Sequence, residues 1–317
     1  PSTSPELWAA FCRGDGLGVF QCDSSGMRGL LQSLKPDRFE DIIALGALYR
    51  PGPLECGMVE SYVERKHGRE AVVYDPPQLE TVLGATYGCI VYQEQVMHLV
   101  RVLAGFSGPD SDSVRKARGK KKPEEMKKWK DKFLQGAEKT CGREAADRTW
   151  ERVSVFAGYG FNRSHAAAYG VLTLQTAYLK TYHPAPFYAA LLTSESEADV
   201  TATYVQDAIA HKIEVVAPCV QDGVAAWRAT GPNAVRVGYG AVRGVGEEAA
   251  RRIEASRAVA GSFRSLSDLV ARTSLTKGAY EALAKAGALD SFGERERVFA
   301  AAESVLKAGR RAKADVK

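Results

Sequence analysis

The sequence has few of the features that mark secreted, zinc-binding or membrane-spanning proteins. Its six cysteines are widely spaced, and neither a C-x-x-C pair nor a paired-histidine spacing occurs. This distribution favours reduced thiols in the cytosol and argues against structural zinc. No apolar run approaches the length that crosses a bilayer, and no basic segment followed by an apolar segment opens the chain. We therefore expect a cytoplasmic protein with no membrane partner.

Short motifs that bind a nucleotide or a metal ion are missing as well. No P-loop of the form G-x-x-x-x-G-K-[ST] occurs. The one D-x-D pair, Asp110-Ser-Asp112, follows Gly108-Pro109 at the start of a predicted helix rather than on a strand, so we reject it as a catalytic metal site. Glu94 and His98 have the i, i+4 spacing of metal ligands, but one pair supplies too few ligands and is interpreted as structural.

Length and hydrophobic pattern predict a mainly α protein of two or three domains. The chain has 317 residues, of which 45% are hydrophobic, and a formal net charge of only +5. Helical spacing recurs from the first residues to about Tyr182, and short β-like pieces occur only after about Ser194. The segment Arg50-Pro-Gly-Pro53 is predicted to form a stiff turn rather than a helix. Arg50 either anchors a phosphate or ties down its own turn, and His67 is interpreted as a helix cap rather than a catalyst.

The stretch from Asp110 to Lys122 is rich in cations. Ser111, Arg115 and Arg118 recur at i, i+4 and i+7 and therefore share one face of a predicted helix that Gly119 ends. Three lysines follow that helix: Lys120, Lys121 and Lys122. Because few acidic residues are close enough in sequence to neutralise these cations, we predict a site for a polyanion such as a nucleoside triphosphate. The alternative is a solvated basic face, as in most charge runs.

A second candidate site begins after Phe156, where glycines and aromatic residues surround four consecutive polar residues. These are Asn162, Arg163, Ser164 and His165, and they open a helix of small residues that runs to about Tyr182. Small residues allow a ligand or a second helix to come close, and the polar side chains place donors at the helix entrance. Tight packing at the helix start would explain the glycines alone. It explains the four polar residues less well, so we favour a binding role.

A third candidate site is a glycine hairpin that leads into a helix. The residues Arg243, Gly244, Val245 and Gly246 precede a predicted helix from Glu248 to Arg257. Such a hairpin presents backbone N–H groups to one phosphate, as in a helix-hairpin-helix DNA-binding module, although glycine turns before helices are common. Two further predicted helices, with a turn that ends at Lys277, form a weaker second copy, and a basic tail follows from Leu306.

Taken together, these stretches resemble the alpha subunit of bacterial DNA polymerase III, the C-family replicative polymerase. The resemblance follows the chain in order over nearly its whole length. The matching segments are Gly18-Val-Phe-Gln, Phe39-Glu-Asp-Ile-Ile-Ala-Leu, Arg50-Pro-Gly-Pro-Leu, Arg65-Lys-His-Gly, Tyr87-Gly, Tyr92-Gln-Glu-Gln-Val-Met, Gly119-Lys-Lys-Lys-Pro-Glu-Glu-Met and Ala157-Gly-Tyr-Gly-Phe-Asn-Arg-Ser-His-Ala-Ala-Ala-Tyr.

The resemblance implies a division into domains and a role for each candidate site. Residues 1–195 are expected to form the mainly helical fingers domain, which binds the incoming nucleotide. Residues 196–292 are expected to form a small helix-hairpin-helix DNA-binding domain with minor β content, and residues 293–317 a basic C-terminal helix or linker. The nucleotide-facing arginine pair of the family falls on Arg115 and Lys116. Lysine lacks the bidentate geometry of arginine at this second position, and Arg118 is placed to compensate.

Further residues take their expected roles from the same resemblance. Asn162, Arg163, Ser164 and His165 would close around the nucleotide. DNA would contact Lys120, Lys121, Lys122, Arg243, Gly244, Val245, Gly246 and Lys277. In this family the palm carboxylates that hold Mg²⁺ precede a segment like the one at Val19, so they would lie before residue 1, and this chain alone would bind no cofactor and be inactive. The clamp-binding motif is not found.

The expected partners are therefore primer-template DNA, deoxynucleoside triphosphates, and the palm and thumb of the same polymerase. A sliding clamp and other replisome subunits would bind through regions outside this sequence, and the expected location is the bacterial cytoplasm, near the nucleoid. The predicted function is part of a DNA-directed DNA polymerase. The alternatives are a non-catalytic DNA-binding fragment or decayed paralogue, and the error-prone branch of the same family.

Overall fold

The computed structural model describes residues 4–119, 123–156 and 160–315. The chain divides into two compact units, Pro1–Ala177 and Tyr178–Lys317, with the boundary inside one long helix. Helices dominate both units, which confirms the expected mainly α fold. Across these described ranges, every helix is too short or too polar to cross a membrane.

The first unit consists of helices joined by short links. Serine side chains cap the first two helices, because the hydroxyls of Ser4 and Ser24 accept hydrogen bonds from N–H groups in the first turn. The helices are α1 Pro5–Cys12, α2 Ser25–Leu34, α3 Phe39–Leu48, α4 Pro51–Glu55, α5 Met58–Lys66, α6 Glu80–Leu83, α7 Gln93–Ala104, α8 Gly108–Gly119, α9 Pro123–Cys141, α10 Arg143–Phe156 and α11 Arg163–Tyr182.

Two apolar clusters form the core of the first unit. The first cluster joins α1, α2, α3, α5 and the first four turns of α11, and it contains fully buried residues such as Leu7, Leu31 and Tyr62. The second cluster joins α6 to α10 around Leu99, Phe133 and Trp150. The start of α11 therefore rests on the first cluster, whereas α8 belongs to the second.

A buried ion pair lies within the first cluster. The Asp41 carboxylate on α3 is fully buried and lies 2.7 Å from Lys66 Nζ on α5, whose side chain is 5% exposed. The same carboxylate accepts a hydrogen bond from the Asp37 N–H and lies 3.5 Å from Arg38 Nε. Asp37 gives Lys66 a second partner at 3.0 Å. This network fixes the position of α3, whose Phe39 packs against Gly170 of α11.

The structure corrects the prediction for the segment that follows α3. The residues Arg50-Pro-Gly-Pro53 do not form a stiff turn, because α4 begins at Pro51. Proline is tolerated in the first helical turn, where its missing N–H would have no intrahelical acceptor. Arg50 ties down this turn, since its Nε donates to Ala47 O at 2.8 Å. His67 is the C-terminal cap residue of α5, as predicted.

The second unit combines helices with a three-stranded sheet. Its helices are α12 Pro184–Ser194, α13 Ala198–Ala210, α14 Glu247–Ala260, α15 Leu266–Thr273, α16 Lys277–Lys285, α17 Arg295–Ala300 and α18 Ala302–Asp315. Its strands are β1 Glu214–Val216, β2 Arg228–Gly231 and β3 Ala234–Arg236. The central strand β3 pairs in parallel with β1 and antiparallel with β2. The last five helices share one core around Leu269, Tyr280 and Leu283.

The C-terminal basic stretch is part of that core. Ala302, Leu306 and Gly309 recur at i, i+4 and i+7 on α18, and all three are buried. A Cβ at Gly309 would lie 2.7 Å from side-chain atoms of Val270, so glycine allows α18 to approach α15 closely. The predicted division at residues 195 and 292 stays a prediction.

Candidate nucleotide and nucleic-acid sites

The first candidate site is built where two chain segments meet ahead of α7 and α11. Tyr92 and Phe161 form an isolated parallel bridge, in which the Gln93 N–H donates to Phe161 O at 2.9 Å. A Cβ at Gly160 would lie 3.2 Å from the Gln93 Cα, a tight contact, so glycine favours this close approach. The buried Gln95 side chain accepts hydrogen bonds from the N–H groups of Val91 and Tyr92. These contacts fix the two helix starts relative to each other.

Asn162 caps α11 and joins it to α7. Its Oδ1 accepts from the His165 N–H at 2.7 Å, and its Nδ2 donates to the Glu94 carboxylate at 3.0 Å. The Arg163 N–H also donates to Glu94, at 3.1 and 3.2 Å to the two oxygens. The N-terminal end of α11 therefore already holds a carboxylate from its own chain, where the helix dipole favours negative charge. Glu94 has the structural role that its sequence position suggested.

The side chains of the next three residues point to solvent. Arg163, Ser164 and His165 are exposed. Within the described ranges, the Arg163 guanidinium has no carboxylate partner and lies 5.7 Å from the centroid of the Tyr92 ring. The Ser164 hydroxyl has no partner within the same ranges. The structure therefore brings Asn162, Arg163, Ser164 and His165 to one helix start, but only the last three present free polar groups.

An aromatic array along α11 was missed by sequence reasoning. His165 stacks on Tyr169 with ring centroids 4.4 Å apart, and Tyr169 contacts Phe20 at 5.6 Å. Phe161 meets the other edge of His165 at 5.5 Å. The i, i+4 spacing of His165 and Tyr169 was the available signal. Phe20 lies about 150 residues away in sequence, so no local pattern could place it there.

Two threonines of α11 hold the backbone of Phe20. The Phe20 N–H donates to Thr176 Oγ1 at 3.0 Å, and the Thr173 hydroxyl donates to Phe20 O at 3.1 Å. Thr173 is 3% exposed, so its hydrogen bond is shielded from water. The link between α1 and α2 is therefore fastened to α11.

Two basic residues of α8 share one neighbouring carboxylate. Arg115 and Lys116 both pair with Asp112, at 2.7 and 2.6 Å. The expectation that little acid lies near these cations was therefore wrong, because Asp112 lies three and four residues before them on the same helix. No hydrogen bond or ion pair joins either cation to residues 162–165 in the described parts of the chain. Their convergence on one nucleotide stays a prediction.

The two aspartates of α8 are unsuited to holding Mg²⁺. Hydrogen bonds from Lys116 and Arg115 lower the pKa of Asp112, and hydrogen bonds from Lys132 and Ser107 lower that of Asp110. Both carboxylates are thus already bound to cationic side chains of this chain. The rejection of this D-x-D as a metal site agrees with these contacts. The predicted DNA contacts Lys120, Lys121 and Lys122 lie outside the described residues, as does the side chain of Arg118.

A cavity of about 280 Å³ next to the α11 start is acidic. Glu40 and Glu94 line it together with His98 and Arg163, above the ring of Tyr92. Two carboxylates disfavour a triphosphate inside this cavity, because phosphate oxygens would be repelled. Arg163 lines this cavity and is also exposed to solvent.

The glycine hairpin has the geometry expected of a phosphate-binding turn. Gly244 and Gly246 have φ of +96° and +72°, a left-handed region that glycine adopts readily, and both are exposed. Val245 is 5% exposed and anchors the hairpin in the core. Its N–H donates to Val242 O, so it does not face a ligand. No side chain caps α14, which leaves N–H groups at its start for an anion.

The hairpin has charges of both signs around it. Arg243 is exposed and has no ion-pair partner in the described ranges. Glu247 and Glu248 follow in the first turn of α14 and pair with Arg251 and Arg252 one turn later. Lys277 opens α16 and pairs with Glu303 at 2.6 Å, which raises the pKa of Lys277. Of the two described cations among the predicted DNA contacts, Arg243 has no ion-pair partner, whereas Lys277 has one.

Comparisons with known proteins agree with this architecture. Residues 1–141 match the family model described as the bacterial DNA polymerase III alpha subunit finger domain, and residues 212–298 match a helix-hairpin-helix motif. The chain is 45% identical to the DNA polymerase III subunit alpha of Campylobacter jejuni and 43% identical to that of Aquifex aeolicus, over 94% of this chain in each case. It is 43% identical to the same subunit of Thermus aquaticus over 97% of its length.

These relatives are much longer than the chain described here, which spans 26% of each of them. The similarity nevertheless runs from the helices of the first unit through the hairpin of the second. The chain belongs to the family of the bacterial DNA polymerase III alpha subunit and corresponds to its finger domain and helix-hairpin-helix region.

Proposed function

We propose that this chain is the part of a DNA-directed DNA polymerase that binds the incoming deoxynucleoside triphosphate and the primer-template. Its relatives are named as subunits of DNA polymerase III, and the polymerase role is inferred from that similarity. The carboxylates that perform the chemistry lie in a palm outside this chain. The role of the chain is then to select, orient and hold the nucleotide.

The observation that carries the nucleotide site is the exposed polar run at the start of α11. Arg163, Ser164 and His165 offer a guanidinium, a hydroxyl and an imidazole on successive residues, on the surface of a helix whose start is fixed by Asn162 and Glu94. A triphosphate accepts hydrogen bonds from such groups, and arginine can bind its oxygens in a bidentate manner. Because the helix start is fixed, these donors need little reorganisation when they bind a phosphate.

The α8 cations extend this site. Three residues connect α7 to α8, and both helices contribute to the second apolar cluster. We propose that this connection lets Arg115 act together with the donors at the start of α11. Asp112 pairs with both Arg115 and Lys116. A bound triphosphate would replace the Asp112 carboxylate as the partner of these cations. The negative charge of the phosphates would then be balanced by the cations of α8 and by the donors at the start of α11.

The contact between Phe20 and α11 would fix the position of the nucleotide site relative to the palm. The palm carboxylates of this family are expected just upstream of a segment like Gly18-Val-Phe-Gln. Thr173 and Thr176 bind the backbone of Phe20, so the residues that follow the palm are fastened to the helix that carries Arg163. Mg²⁺ held by those carboxylates would activate the primer 3′-hydroxyl and stabilise the leaving pyrophosphate. Arg163 and its neighbours on α11 would orient the rest of the triphosphate.

The helix-hairpin-helix region would bind the backbone of the duplex. The exposed glycines at 244 and 246 let a phosphate approach the N–H groups at the start of α14, and Arg243 adds a positive charge. Contacts of this kind position a protein on DNA without reading its sequence. A polymerase needs this property because it must bind every sequence that it copies.

The nucleotide site is tested by Arg115→Ala in a polypeptide that joins this chain to its palm. We expect the KM for the nucleotide to rise, or kcat to fall, by about tenfold or more, because a charged contact to the triphosphate is lost. Arg143→Ala is the matched control, since Arg143 is also a helical arginine that pairs with an aspartate, Asp147, at 3.1 Å. Equal kinetics for the two variants would remove Arg115 from the site.

The polymerase role is tested by primer extension with this chain alone and with a palm fragment added. We expect no synthesis by the chain alone and synthesis by the mixture. Synthesis by the chain alone would show that catalytic carboxylates lie within it. Duplex binding without any synthesis in the mixture would favour a non-catalytic DNA-binding protein.

A further inference from the structure

The turn between α15 and α16 shares two features with the Gly244–Gly246 hairpin. Ser274 has φ of +53° where Gly244 has +96°, so both turns begin with a left-handed residue. The central residue is buried in both turns, Leu275 at 3% exposure and Val245 at 5%. A helix start follows each turn. We call Ser274–Thr276 the second hairpin; it differs from the first at the residue before the helix, where Thr276 has φ of −74° and Gly246 has φ of +72°.

The second hairpin cannot bind a phosphate in the same way as the first. Thr276 takes the place of Gly246, and its hydroxyl accepts a hydrogen bond from the Ala279 N–H at 3.2 Å. This cap satisfies an N–H group in the first turn of α16, whereas no side chain caps the start of α14. An anion at the second hairpin would need donors from elsewhere in the fold.

Helix α18 supplies cations beside the second hairpin. It packs along α15, and its Lys313 Nζ lies 2.5 Å from the Ser274 hydroxyl oxygen. Lys307, Arg310 and Arg311 form a basic face of α18, and all three are exposed. None of these three side chains has an ion-pair partner within the described ranges. The position of Gly309 against Val270 holds this basic face in a fixed place.

These cations share one groove with Lys277, the first residue of α16. The groove has a volume of about 560 Å³ and is lined by Lys277, Glu303, Leu306, Lys307, Arg310, Arg311 and Ala314. Four cations and one carboxylate leave it with a net positive charge, and the carboxylate, Glu303, is bound to Lys277. The other three cations, Lys307, Arg310 and Arg311, form a set that fits a row of phosphates better than a single small anion.

We propose that α18, together with the second hairpin, forms a second binding site for the phosphate backbone of a nucleic acid duplex. The site uses side-chain cations in place of the backbone N–H groups that serve the first hairpin. It lies in part beyond residues 212–298, which match the helix-hairpin-helix motif. The inference rests on the proposed DNA-binding function and adds a contact that the hairpin sequence does not show.

The test compares two variants of the whole chain that lose the same charge. Arg310→Gln/Arg311→Gln removes two unpaired cations of the groove. Arg295→Gln/Arg297→Gln removes two cations of α17 that already pair with Asp290 and Glu294. Binding of a blunt 20-base-pair duplex is measured by fluorescence anisotropy at several KCl concentrations.

We expect the slope of log K against log [KCl] to fall by about 2 in the groove variant, because about one counterion is released for each phosphate contact. The control should keep the slope of the unmodified chain. A second measurement uses lysine acetylation, in which saturating duplex should protect Lys307 but leave the exposed Lys212 reactive. An unchanged slope together with a reactive Lys307 would overturn the proposal.

The outcome separates this inference from the proposed function. If the unmodified chain binds no duplex, the DNA-binding function itself fails. If Arg243→Gln weakens binding but the groove variant does not, the first hairpin binds DNA and the second site does not exist.

Discussion

Breaking the buried pair between Asp41 and Lys66 should destabilise the first unit strongly. In Lys66→Met, the fully buried Asp41 carboxylate keeps only the Asp37 N–H and the more distant Arg38. Removing one partner of a buried ion pair costs about 3–5 kcal/mol, because the other charge stays buried without compensation. Total stabilities are about 5–15 kcal/mol, so this loss is a large part of what holds the unit folded.

The double variant Asp41→Asn/Lys66→Met should recover much of that loss. Both charges are then absent, and the Asp37 N–H keeps an amide oxygen as its acceptor. We expect a coupling free energy of at least about 2 kcal/mol from the double-mutant cycle. Lys128→Met, at an exposed lysine of α9, is the control and should change stability by less than about 0.5 kcal/mol.

Urea unfolding followed by tryptophan fluorescence measures these changes. Three of the four tryptophans, Trp8, Trp129 and Trp150, lie in the first unit. With an m-value near 2 kcal/mol/M, a loss of about 4 kcal/mol lowers the urea midpoint by about 2 M. A shift below about 0.5 M for Lys66→Met, or simple additivity in the double variant, would refute the reasoning from burial.

Two further predictions concern the acidic residues of α8. Asp112→Asn should lower the nucleotide KM of a complete polymerase by about threefold, since the helical ion pairs that compete with the triphosphate are weak; a rise in KM would instead make Asp112 a positioning residue for Arg115. For Asp110, the hydrogen bond from Lys132 lowers the carboxyl pKa, so its stabilising effect is present at neutral pH and is lost as the pH falls through that lowered pKa. Lys132→Gln should raise the pKa of Asp110 toward its ordinary value in a carboxyl NMR titration, and an unmoved pKa would contradict the pairing.

Sequence patterns located most helices because their signals are local. Proline and acidic residues at the start of α9, and the glycine hairpin before α14, mark these boundaries through contacts within one turn. The helix α4 was missed because proline is a strong breaker in most contexts but is tolerated in a first turn. Proline is compatible with the first turn of a helix, but the sequence pattern alone did not show that a first turn begins at Pro51.

The contacts that build the candidate sites were harder to predict. The pairing of Arg115 with Asp112 follows a known helical spacing, yet the sequence does not tell whether a cation binds its neighbour or a ligand. The contacts of Phe20 with α11, and of Ser274 with Lys313, join residues that are distant in sequence. Such pairs depend on how the helices pack, which no local periodicity records.

The two hydrogen bonds between Phe20 and the threonines of α11 restrict how a closing motion can occur. A slide of α11 along its own axis would break both bonds together, because one threonine binds the N–H of Phe20 and the other binds its carbonyl oxygen. Any rotation that brings Arg163 toward a nucleotide must therefore carry the Phe20 segment with it as one rigid body. The hinge for such a motion would have to lie elsewhere in the polypeptide, at a point that bends without breaking these two hydrogen bonds.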